Sequence, residues 1–118
     1  MNASELPILL AARNAAEILG VTRQCVDNQL RRGRFASVIV APRRQRVVTR
    51  DLIVHKGWSD TGHVARIQSL PEYVTQSQAA DELSVPAGDL AKLGVVEGGM
   101  VHLPSLLQSL GLHWAVKA

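Results

Sequence analysis

Between Thr22 and Arg46 the chain carries Thr22, Arg23, Gln24, Asp27, Asn28, Arg31, Arg32 and Arg34, then Arg43, Arg44, Gln45 and Arg46. Guanidinium groups fork onto phosphate oxygens and onto the guanine edge, and carboxamides pair in a similar way with adenine. This inventory therefore suits a polyanion. No catalytic arrangement competes with it. His55, His63, His102 and His113 lack metal-ligand spacing, Cys25 has no partner cysteine, and no order of serine, histidine and acid stands out. The stretch "VEGGM" lacks the lysine and helix context of a phosphate loop and reads as a tight turn. The expectation is a protein that is not an enzyme and uses no metal or cofactor, with Cys25 a small buried or half-buried residue and not a redox thiol.

The elements that must position these side chains follow from periodicity. In "NAAEILGV", Ala15, Ala16, Leu19 and Val21 fall around one helical face, and Gly20 stands where a helix stops and turns. Thr22 is a good N-cap for the next helix, whose apolar stripe is Val26 and Leu30 and whose end is Gly33. Arg23, Gln24, Asp27, Asn28 and Arg31 lie off that stripe. Val38 and Val40 then alternate as a strand, Pro42 to Arg46 form a turn with a cationic tip, and Val47 and Val48 return. Asp51 is placed to cap a short closing helix, "DLIVHKG".

A chain of 118 residues can bury one modest core or two very small ones, and 47% hydrophobic with 19% charged residues is a globular composition. The net charge of +3 hides a division. Met1 to Gly57 holds ten Arg or Lys against four Asp or Glu, a balance of +6, whereas Trp58 to Ala118 holds three against six, a balance of −3. No apolar run approaches the roughly 18 residues of a membrane helix, and the N-terminus lacks a basic leader. Together these imply a cytoplasmic protein without a membrane partner.

The stretches "LLAARNAAEILGVTRQCVDNQLRRGRF" and "RRQRVVTRDLIVHK" resemble the winged helix-turn-helix of the excisionase and MerR-type group, over about residues 9 to 57. In that group the helix after the glycine turn enters the major groove and the wing touches backbone or minor groove. The resemblance therefore assigns DNA contact to Arg23, Gln24, Asn28 and Arg31, and to Arg43, Arg44 and Arg46.

A shift of 64 residues aligns "LPILLAARNAAEILGV" with "LPEYVTQSQAADELSV", with six identities: Leu6 and Leu70, Pro7 and Pro71, Ala15 and Ala79, Ala16 and Ala80, Leu19 and Leu83, Val21 and Val85. "VVTRDLIVHKG" corresponds further on to "VHLPSLLQSLG", with about ten residues missing between, which points to an internal repeat. The second copy has Ala87, Gly88 and Lys92 where the first has Arg23, Gln24 and Asn28, and it adds Asp89. The expected architecture is mainly α with short β-hairpin wings: a tandem winged helix-turn-helix whose second copy is shortened. The expected units are a basic DNA-binding domain at 1–57, a connector at 58–68 and a packing or dimerisation unit at 69–118. Trp58, Leu103, Leu106, Leu107, Leu110, Leu112 and Trp114 are its expected interface, within the chain or in a homodimer.

The function implied is sequence-specific binding of double-stranded DNA, as a transcriptional regulator or as an excisionase-type directionality factor of a phage or mobile element that also meets an integrase. Two alternatives stand beside it. One is a DNA-packaging or partition adaptor resembling a small terminase subunit, and the other is a winged protein-interaction module without DNA.

Overall fold

The computed structural model describes residues 3–41, 44–91 and 96–116. It is a mixed α/β fold, with seven α-helices and two small antiparallel sheets among the described residues. In the first half, β1 (Leu9–Leu10), α1 (Ala12–Leu19), α2 (Arg23–Arg31), β2 (Ser37–Ala41), β3 (Arg44–Val48) and α3 (Thr49–His55) follow in order. After α4 (Thr61–Gln68), the same order returns as β4 (Tyr73–Thr75), α5 (Gln76–Leu83), α6 (Ala87–Ala91), β5 (Val96–Glu97), β6 (Met100–His102) and α7 (Leu103–Ser109). The strand orders are β1-β3-β2 and β4-β6-β5, so the two sheets share a topology as well. Both α1 and α5 begin and end 64 residues apart, the offset of the sequence alignment. The shortening falls in α6, five residues against nine in α2, and in the second hairpin.

Local chemistry explains the helix pair. Gly20 ends α1 at φ 71°, a left-handed conformation that costs glycine little, and its N–H turns back to Ala16 and Glu17. Thr22 starts α2 by accepting the Cys25 N–H at 3.1 Å. At the matching turn of the second half the left-handed residue is Ser84, at φ 55°. There a β-carbon makes the conformation costly.

Four expectations need correction. A strand, β1 or β4, precedes each helix pair and completes each sheet, so the fold is less helical than the periodicity implied; strands of two or three residues are too short to show alternation. Arg44, Gln45 and Arg46 belong to β3 and not to the turn, while Pro42 and Arg43 lie outside the described residues, as does Lys92. Asp51 does not cap α3: the helix begins at Thr49, and the Asp51 carboxylate accepts the Ala36 N–H at 2.9 Å. The expected connector at 58–68 is mostly a helix, α4.

Where β1 pairs with the end of β3, the first sheet is buried on both faces. Leu10 and Val47 pair across β1 and β3 and pack with Ala15, Ala16, Val26, Phe35 and Leu52 under the first helix pair. Their strand neighbours Leu9 and Val48, also paired, point the other way and join Ile8 and Val40 in a cluster built mainly from the second half. That alternation is why "ILL" and "VV" are continuous apolar runs, since a sheet covered on both faces needs no polar positions. Leu103, Leu106, Leu107 and Leu112 are buried in this shared cluster, with Leu110 and Trp114 packed against it. These side chains are consumed in joining the halves of one chain. This is the packing within the chain that the sequence offered beside a homodimer. Trp114 sits below Arg50 of α3, whose guanidinium carbon is 5.4 Å from the ring centroid, and its ring centroid is 6.0 Å from that of His63 on α4. Trp58 differs, being exposed with the Lys56 ammonium over its ring.

Candidate nucleic-acid interface

The α1–α2 turn directs the first turn of α2 toward β3, and the two enclose a cleft of roughly 400 Å³. Its walls carry Arg13 from α1, Arg23 and Asp27 from α2, and Arg44, Gln45 and Arg46 from β3. Four arginines thus meet one carboxylate. An adjoining cleft shares Arg13 and Arg46 and continues against the second half, where Ala80, Asp81, Ser84, Val85 and Pro86 line it.

The expected contact residues divide in three ways. Arg23, Asp27, Arg44, Gln45 and Arg46 are brought together in the cleft. Gln24, Asn28, Arg31 and Arg32 are exposed along α2 and its C-terminal end, with Val26 on the opposite, buried face. Arg34 stands apart, in a shallow depression with Arg50, Asp51, Val54 and His55. Arg13 belongs to the site but was missed. It lies off the Ala12, Ala15, Ala16 and Leu19 stripe of α1, a solvent-facing position by periodicity, and nothing local tells which neighbour it faces.

The wing arginines are not free. Arg44 Nε is 3.2 Å from the Asp89 carboxylate of α6, and Arg46 Nε donates to the Ser84 carbonyl at 2.7 Å. Burial, and next the Arg44 charge, hold the half-buried Arg46 guanidinium below its ordinary pKa; Asp89 opposes this shift and Arg23 adds to it. A desolvated cation among cations favours an anion. Gln45 donates to the Ser37 hydroxyl at 2.8 Å across the hairpin, which orders the wing strand.

Among the described residues, no three His, Cys, Asp or Glu side chains converge as a metal site would need, and no helix is long and apolar enough to cross a membrane. Comparison with protein-family profiles, curated proteins and solved structures gave no match.

Proposed function

We propose that the chain binds double-stranded DNA sequence-specifically, with its first half acting as a winged helix-turn-helix and its second as a shortened relative of the same unit. The observation that carries this reading is the exposed polar face of α2 standing beside a cleft lined by Arg13, Arg23, Arg44 and Arg46. Cations at a cleft track the backbone, while Gln24, Asn28 and Arg31 offer the donors and acceptors that read base edges in a major groove. The twofold element order supports a duplicated unit of which one copy kept the arginines. Occupying an operator or an attachment site would fit a transcriptional regulator or a recombination directionality factor, and both roles begin with this contact.

The test is a duplex selected from random sequence, measured against unselected duplex over a salt series. Each phosphate neutralised should contribute about 0.9 to the slope of log affinity against log salt. Replacing Gln24 or Asn28 by alanine should weaken the selected site by about 1 to 3 kcal/mol while leaving most non-specific binding intact. Equal losses on both duplexes would remove these residues from base readout, and a flat salt response would remove DNA.

A further inference from the structure

The second half places acidic groups against the wing, where a nucleic acid would need the arginines bare. Asp89 is at the third position of α6, and its carboxylate meets Arg44 across the boundary between the halves. Two residues before α6 begins, Val85 follows the Ser84 carbonyl that Arg46 holds. Asp81, exposed on α5, lines the adjoining cleft with Arg13 and Arg46. The Asp89 side chain is 14% exposed, whereas that of Arg44 is 45% exposed, so the arginine can be reached by a further anion without displacing the helix.

We propose that Asp89 acts as an internal stand-in for a backbone phosphate: in the free protein it neutralises Arg44, and a phosphodiester of the bound duplex takes its place. This rests on the DNA reading above and adds a partner exchange to it. A carboxylate and a phosphate offer the guanidinium the same anionic acceptor geometry. An ion pair with one partner open to solvent is weak enough to be exchanged, yet strong enough to lower affinity measurably. Breaking the contact costs the same for either duplex, and it is a larger share of the weaker binding to random duplex, which rests on phosphate contacts alone.

The full-length chain is the material for the test. Asp89→Asn should tighten binding of random duplex about two- to fivefold at low salt and steepen the salt slope by up to about one. Asp81→Asn measures the general benefit of removing an acid near the cleft. In an Arg44→Ala background the gain from Asp89→Asn should shrink, leaving only the part that acts through Arg46. Independently of any variant, the Arg44 Nε–H resonance of the wild-type protein should move when duplex is added, as its acceptor changes. Three results would overturn the proposal while leaving DNA binding intact: equal gains from Asp89→Asn and Asp81→Asn, a gain undiminished by loss of Arg44, or an Arg44 resonance unmoved at saturating duplex. Failure of the wild-type chain to bind duplex in a salt-dependent way would sink both readings.

Discussion

At the scale of single residues, His63 is the side chain whose position is hardest to reconcile with its chemistry. It is 1% exposed on α4, and neither ring nitrogen has a hydrogen-bond partner among the described residues. Burial pushes its pKa down to about 4, aided by Arg66 and opposed by Glu82 and Asp60. The folded protein therefore holds the ring neutral, while the unfolded chain takes up a proton near pH 6.5. Between those values the unfolded state binds more protons, so stability should fall as pH drops from about 6.5 to 4, by up to about 3 kcal/mol. His63→Leu should flatten this part of the pH profile and hold or raise stability at neutral pH, because no unpaired polar nitrogen stays buried. Denaturant melts across the range would check it; an unchanged profile in the variant would assign the acid sensitivity elsewhere. The sequence exposed His63 only as a histidine without metal spacing, since burial of a connector residue depends on what closes over it.

Among the elements, the two helix-pair turns diverge in a way that defines the halves. Gly20 and Ser84 occupy equivalent left-handed positions, 64 residues apart. Serine takes strain that glycine avoids, and in return its hydroxyl donates to the Leu9 carbonyl of β1 at 2.7 Å while its carbonyl accepts from Arg46. The second turn is thereby docked on the first sheet. Ser84→Ala should keep the strain and lose the hydroxyl bond, costing about 1 to 2 kcal/mol, whereas Ser84→Gly should cost less because strain is relieved as the bond is lost. Urea unfolding of both variants is the measurement, and equal losses would mean that strain has no part in the turn. The helix pair itself was legible, from Gly20, Thr22 and the Val26 and Leu30 stripe, because caps and periodicity act within a few residues. The wing was less so: whether Arg44 and Arg46 sit in a turn or a strand depends on pairing with β1 and β2, which the local pattern does not contain.

For the whole molecule, the opposed charges of the halves become specific contacts. Arg44 pairs with Asp89 and Arg50 with Asp60 at 2.9 Å; within the second half Arg66 grips both Glu82 oxygens and donates to the Ser4 and Leu6 carbonyls, tying the N-terminal segment to α4 and α5. The shared apolar cluster matters more. Removing everything after Asp60 would uncover Ile8, Leu9, Val40 and Val48, all buried against the second half. At about 1.5 to 3 kcal/mol for each buried aliphatic side chain, that loss is comparable to the roughly 5 to 15 kcal/mol stability of a whole domain. The truncated chain should show no cooperative thermal transition, and a sharp melt would show that the first half folds unaided. The sequence by itself determined what short-range interactions control: the first helix pair with its Gly20 turn and Thr22 cap, the repeated pattern at an offset of 64 and the division of charge. The tertiary structure alone decided which arginines share a cleft, which acids they meet and which leucines are used up in the core. Those partners lie 38 to 75 residues apart for Arg46, Arg44 and Leu9, and only the docking of one sheet between two sets of helices brings them within bonding distance.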